Sequence, residues 1–272
     1  MKASVYTSLF NYSPDKFDLL GAFKNWSKYA DEIVIATFED QREGLEGVVA
    51  KVFLDYNGKD DFYNRFKIVS CLDTSLDDPL FDGKLKNAAL QACSNELVIQ
   101  QDLDERVFGS VEEWEYLAHE LDKYDYPITC GIQVIDLYKD YDHFKGVSFK
   151  FYFHKKKGIR RGVVNYAKRG DYIDISLSDS TEPILEDGTL APYFVDTRFC
   201  ESSDGKIKFD ITKPGIAHLG YLDLDKRIEN NKFWKSVWDS RAGKDVEVAT
   251  TLEKLEEENE AKPHGLPIKW WI

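Results

Sequence analysis

The sequence predicts an α/β fold with a mostly parallel central sheet flanked by helices, and two observations carry that expectation. Short β-rich runs alternate with helical patterns over residues 1–100, the order expected of stacked βαβ units. The run Ile33-Val34-Ile35-Ala36 is continuously apolar rather than alternating, as a strand with helices on both faces requires.

Residues 3–9 read as a first strand. Pro14 then sits near a helix start, and Phe17, Leu20, Phe23 and Trp26 recur along one apolar helix face. Residues 32–38 form a second strand, 42–52 a helix, and 66–72 a third strand. Between residues 82 and 94 strong helix formers align Leu85, Ala89 and Cys93 on one side. A fourth strand over 96–101 delivers the chain into Asp102-Leu103-Asp104, and residues 111–121 repeat the amphipathic helical pattern.

Beyond that point the character turns towards β-structure. Residues 149–154 and 163–166 flank Lys155-Lys156-Lys157-Gly158, which predicts a hairpin with a basic turn, and 185–189 predict a second turn. Gly215 to Tyr221 lead into a helix over 225–241, on which Ile228, Trp234 and Trp238 share a face. Residues 250–261 read as a solvated acidic helix before a tail ending in Trp270-Trp271-Ile272. The expected organisation is a single domain over 1–245, with halves 1–110 and 111–245 and a β-rich second half, followed by a helix and tail over 246–272.

The chain has 272 residues, enough to bury a full core without disulfide help. A formal charge of −13 argues against a nucleic-acid partner, which would need a basic face to neutralise phosphates. Cys71, Cys93, Cys130 and Cys200 form no C-x-x-C pair, so a zinc or redox motif is not expected. The first residues lack the apolar run of a signal peptide and no segment has the length of a membrane helix, so the expected location is cytoplasmic. Self-association is left open.

Residues two apart on a strand face the same way, so Asp102 and Asp104 are expected to converge while Leu103 points into the core. Ligands of open α/β sheets bind beyond the carboxyl ends of strands, where this pair falls. Hard cations such as Mg²⁺ or Mn²⁺ take carboxylate oxygens together with substrate phosphates. Asp140-Tyr141-Asp142 and Asp223-Leu224-Asp225 repeat the tripeptide pattern, but only Asp102 and Asp104 follow a helix and a buried strand.

The stretch from Gly83-Lys84-Leu85-Lys86-Asn87-Ala88-Ala89-Leu90 to Glu96-Leu97-Val98-Ile99-Gln100-Gln101-Asp102-Leu103-Asp104-Glu105 resembles the core of GT-A-fold glycosyltransferases, particularly family 2-like enzymes with a D-x-D motif. Tyr6 to Asn11 and Ala36 to Asp40 resemble the first two strand ends of that Rossmann-like fold, and the likeness covers residues 1–110. It implies a nucleotide-sugar donor, a glycan or other hydroxyl acceptor, and Mn²⁺ or Mg²⁺. It further implies Ser8 and Phe10 near the nucleobase and ribose, Glu39 or Asp40 beside them, and Asp73 in a base-contacting role. It also implies that Lys86 and Asn87, on the helix before the motif, are among the cofactor-binding residues. Asp102 would face the ribose or metal, and Asp104 would bind the metal that bridges the phosphates.

The same resemblance makes His218 a candidate third metal ligand and Asp187, in Glu186-Asp187, a candidate general base for an inverting transfer. Lys155, Lys156, Lys157, Arg160 and Arg161 concentrate positive charge that could meet a diphosphate or an anionic acceptor, although such a turn is more often simply solvated. Trp234 and Trp238 fit core packing better than sugar stacking, whereas Trp270 and Trp271 are expected to dock on something. Two rival readings stand beside transfer: a sugar-phosphate nucleotidyltransferase, and a glycan-binding protein without turnover on the same fold.

Overall fold

The computed structural model of the chain describes residues 1–12, 18–55, 64–78, 80–161, 167–169, 172–174, 183–203, 206–242 and 247–266. Its first half runs β1 (Ala3–Ser8), α1 (Leu19–Trp26), β2 (Glu32–Phe38), α2 (Arg42–Asp55), β3 (Phe66–Cys71), α3 (Phe81–Ala92), β4 (Leu97–Gln100), β5 (Glu105–Phe108) and α4 (Val111–Asp122). There follow β6 (Thr129–Tyr138), β7 (His143–Lys155), β8 (Arg160–Arg161), β9 (Ala167–Arg169), β10 (Tyr172–Asp174), β11 (Pro183–Ile184), β12 (Tyr193–Asp196), β13 (Cys200–Ser203), β14 (Lys206–Phe209) and β15 (Gly215–Tyr221). The elements α5 (Leu224–Ala242), α6 (Leu252–Glu257) and β16 (Lys262–Pro263) complete the series.

One large sheet carries the strand order β3-β2-β1-β4-β7-β6-β15-β5. The first four strands are parallel. Strand β7 then inserts antiparallel between β4 and β6, and β15 lies parallel to β6 and antiparallel to β5. Strands β4 and β5 are consecutive in the chain yet far apart in the sheet. The chain therefore crosses the carboxyl edge of the parallel strands at residues 101–104.

Alternating side chains of the inner strands serve two cores. Val5, Ile33, Ile35 and Ile99 pack with Phe23 and Trp26 of α1, Leu45 and Val49 of α2, and Trp114 and Leu117 of α4. On the other face, Tyr6, Val34, Ala36 and Val98 meet Phe81, Leu85 and Ala89 of α3, with Phe233, Trp234 and Val237 of α5 packed outside them. Helices on both faces explain why β2 is apolar at successive positions. Asp18 caps α1 by accepting from the Gly21 amide at 2.8 Å, and Ser110 caps α4 by accepting from Glu113 N at 3.3 Å.

Strand β5 stands at the end of the sheet path, and Asn25 of α1 satisfies its outer edge. The Asn25 amide donates to Val107 O at 2.8 Å, and Val107 N donates back to its Oδ1 at 2.7 Å. That pair fixes the strand leading out of Asp104.

Several expectations need correction. Residues 149–154 belong to the long strand β7, which pairs with β4 and β6. Residues 163–166 lie outside the described residues, as do Pro14, Phe17, Trp270, Trp271 and the side chain of Trp238. The Gly215–Tyr221 run is itself a central strand, and it leads into α5 over Leu224–Ala242, where a helix over 225–241 is expected. Ile228 packs with Ala249 and Leu255, while Trp234 packs on the α3 face, so the two do not share one cluster. Only Leu252–Glu257 of the acidic C-terminal segment is helical. No helix among the described residues is long and apolar enough to cross a membrane.

Candidate functional site

Parallel pairing of β1, β2, β3 and β4 sends all four carboxyl ends to one edge. Ser8, Phe10, Glu39, Asp40, Asp73 and Asp102 consequently leave the sheet on the same side, the edge where open α/β sheets bind ligands.

Asp102 to Asp104 form a turn rather than a strand end. The Glu105 amide donates to Asp102 O at 3.0 Å, and the Asp102 amide donates to Glu105 Oε2 at 3.0 Å. Within this turn Leu103 is buried in the core, as expected, but the two carboxylates face different partners. Asp102 Oδ1 accepts from Gln100 Nε2 at 2.9 Å and lies 3.3 Å from Lys86 Nζ, while its Oδ2 lies 3.5 Å from Lys150 Nζ. Lys86 also pairs with Asp82 Oδ2 at 3.2 Å, and Asp82 Oδ1 accepts from the Ser8 hydroxyl at 2.9 Å. Lys150 reaches on to the buried Glu105.

A continuous chain of polar contacts thus runs from Ser8 through Asp82, Lys86 and Asp102 to Lys150 and Glu105. Burial raises the Asp102 carboxyl, but Lys86 and Lys150 outweigh it and hold the group well below the usual carboxylate range. Burial lowers the Lys86 ammonium, and Asp102 with Asp82 more than reverses it. For Lys150 burial prevails over the nearby Asp102 and Asp104, and its pKa falls.

Asp104 has a separate partner set. Strand β15 places His218 in register with Glu105 of β5 and Asp136 of β6. The imidazole Nδ1 lies 2.6 Å from Asp136 Oδ1, and its Nε2 lies 3.2 Å from Asp104 Oδ2. Leu219 N donates to Asp104 O at 2.7 Å, locking the turn to the strand. Burial lowers the His218 pKa, but Asp104 and Asp136 push it up to about 9. Burial likewise raises the Asp104 carboxyl, and His218 brings it below its ordinary value.

The neighbouring Gly220 keeps open the space beside this pair. A Cβ there would stand 2.6 Å from His218 Nε2 and 2.7 Å from Asp104 Oδ2. Among the described residues, no group of three or more His, Cys, Asp or Glu side chains is placed to hold a metal ion. A hard cation that takes its other ligands from phosphate and water needs only one or two from the protein. Asp104 and His218 fit that lesser demand, and the Asp136 carboxylate behind the imidazole is the support that metal-binding histidines use. Asp102 does not fit as expected, because lysines face both of its oxygens.

The other expected residues are scattered more widely. Phe10 packs in an aromatic cluster, with ring centroids 4.9 Å from Phe81, 6.0 Å from Phe38 and 6.4 Å from Trp234. Glu39 and Asp40 are exposed on a single helical turn after β2. Asp73 is exposed, and its carbonyl accepts from Lys84 at 3.3 Å. Asn87 and Glu186 line a groove of about 180 Å³ behind α3. Asp187 sits on a turn where its Oδ1 accepts from Thr189 N at 2.9 Å.

The basic stretch disperses. Lys155 pairs with Asp122 at 2.9 Å, Lys156 donates to the Gln91 and Cys93 carbonyls at the end of α3, and Arg160 pairs with Glu186 at 3.1 Å. Arg161 is fully buried, donating to Tyr6 Oη at 2.7 Å with its guanidinium 4.6 Å from the Tyr152 ring centre. Lys150, Asp136, Asp82 and Glu105 complete the site without any local sequence signal.

No family model and no curated protein matches the sequence. Similar solved structures include S. aureus TarS 1-349 in complex with UDP, at TM-score 0.29 and 19% identity over 51% of this chain and 36% of that one. S. aureus TarS 1-349 is similar at TM-score 0.37 and 13% identity, over 91% and 67%. The 4-diphosphocytidyl-2C-methyl-D-erythritolsynthase of Anaerococcus prevotii DSM 20548 is similar at TM-score 0.30 and 14% identity, over 93% and 94%. The overlap spans 36% and 22% of the first two TarS chains. Such loose superposition carries no argument about activity.

Proposed function

We propose that the protein transfers a sugar from a nucleotide-diphosphate donor to a saccharide or other hydroxyl acceptor. The supporting observation is the Asp104–His218 pair, braced by Asp136 and left open by Gly220, on the carboxyl edge of a parallel sheet. That edge offers separate strand ends for a nucleoside and for its phosphates.

Asp104 and His218 would hold Mn²⁺ or Mg²⁺, and such an ion, when bound, neutralises a leaving diphosphate. Asp136 orients the imidazole. Lys86 and Gln100 fix Asp102 and thereby the turn that presents Asp104. Ser8 and the Phe10 cluster line the nucleoside end of the edge. In the transfer the sugar C1–O bond to the donor phosphate breaks with its electron pair passing to the phosphate oxygen. The acceptor oxygen bonds to C1 and its proton leaves to a base.

The test is release of nucleoside diphosphate from a panel of nucleotide sugars with Mn²⁺ present. Asp104→Ala is expected to abolish release that the native chain supports. Equal metal-dependent release by both would remove Asp104 from the mechanism.

A further inference from the structure

We propose that Lys150 binds the donor's diphosphate directly, so that a lysine of β7 shares the neutralisation of that group. The inference rests on the nucleotide-sugar reading and assigns a residue within it.

The strand register brings Lys150 to the edge. Leu97, Val98 and Ile99 of β4 pair with Lys155, His154 and Phe153 of β7. Strand β4 stops at Gln100, while antiparallel β7 extends past that end. Strand β7 shifts register against β6 between Lys150, opposite Ile132, and Phe153, opposite Cys130, and the contacts of Lys150 with Asp102 and Glu105 fix its place beyond the end of β4. It arrives beside the Asp102 turn.

Access separates the two lysines there. The Lys86 side chain is 5% exposed and held between Asp82 and Asp102, whereas that of Lys150 is 22% exposed. Lys150 touches Asp102 at 3.5 Å, a loose contact, and its firm partner is the buried Glu105. An ammonium has three donors and no acceptor, so contacts to two carboxylates leave one donor for an incoming anion. Asp104 lies two residues along the same turn. A diphosphate held at Asp104 and His218 would therefore lie within the field of this ammonium, and a lysine meets phosphate as a point charge.

The test is calorimetric titration of pyrophosphate, uridine diphosphate and guanosine diphosphate, each with chelator and again with Mn²⁺. Lys150→Met is compared with native protein, and with Lys150→Met/Glu105→Gln, which leaves no buried carboxylate stranded if the single variant folds poorly. Loss of one charge-assisted contact is expected to weaken binding about 10- to 100-fold. The loss should be as large for pyrophosphate as for a nucleotide, and Lys150→Arg should recover part of it. Native-like affinity in a folded Lys150→Met variant would overturn the inference alone. A native chain that binds none of the three under either condition would overturn the nucleotide-sugar reading as well.

Discussion

Asp136 Oδ1 stands 2.6 Å from His218 Nδ1, and this contact aims the second imidazole nitrogen at Asp104. The two residues come from adjacent parallel strands in register, so the sheet itself sets their spacing. Supporting carboxylates of this kind typically matter about 10- to 100-fold in metal affinity. Asp136→Asn should weaken Mn²⁺ binding by that factor while leaving the fold intact, measured by calorimetry and circular dichroism. Unchanged affinity would show that His218 is not a ligand.

The partly buried His218 and the fully buried His154 give stability opposite pH dependences. His218 is raised from 6.5 to about 9, so its contribution is full below pH 6.5 and disappears as pH rises through 9. His154 is buried, with its pKa lowered from 6.5 to about 3 by desolvation and then by Arg161. Its neutral form is preferred when folded, so stability falls as pH drops from 6.5 towards 3. Each arm is worth at most about 1.4 kcal/mol per pH unit. Urea midpoints should therefore peak near pH 6.5. His218→Gln should flatten the alkaline arm, and His154→Gln the segment between about pH 6.5 and 5, above the carboxylate range. Parallel curves for native and variants would refute both assignments.

Lys86 is a buried charge held from two sides. It is buried between Asp82 at 3.2 Å and Asp102 at 3.3 Å. Removing one partner of a buried ion pair leaves an uncompensated charge and costs about 3–5 kcal/mol. Lys86→Met should lose that much in urea unfolding, and Lys86→Met/Asp82→Asn should lose less. A loss below about 1 kcal/mol would place Lys86 among exposed pairs, whose measured worth is of that size.

The parts of this architecture that local pattern reveals are those made by local physics. Strand β2 announces itself because both its faces are covered, and α3 because Leu85, Ala89 and Cys93 repeat at helical spacing and all bury. Asp104 and His218 are each nominated by residue type and position. Their meeting is not, since 114 residues separate them and β15 must first lie between β5 and β6. Lys150 is less legible still. Its proposed role depends on β7 outrunning β4, a difference in strand length that no window of sequence contains. Conversely, the Lys155–Arg161 stretch looks like one basic site only while its lysines and arginines are counted along the chain. In the fold, Arg161 turns inward to Tyr6, and Lys155, Lys156 and Arg160 take separate partners.

Asp187 tests the same point from the other side. Its carboxylate accepts from Thr189 N in a turn where Gly188 has φ +83°. Asp187→Ala should leave kcat within about threefold and lower stability slightly, whereas loss of a general base costs about 10²–10⁴-fold. A fall of that size in single-turnover transfer would make Asp187 the acceptor's base.

The central claim is that the carboxyl edge at Asp104 and His218 receives a nucleoside diphosphate with its metal. Thermal unfolding of native protein and Asp104→Ala, with each common nucleoside diphosphate in the presence or absence of Mn²⁺, tests it most directly. A ligand at a hundredfold excess over its Kd stabilises by about 2.7 kcal/mol. The native chain should show a metal-enhanced rise in Tm with at least one of them, and Asp104→Ala should lose the enhancement. No rise with any nucleotide, or an equal rise in both proteins, would contradict it.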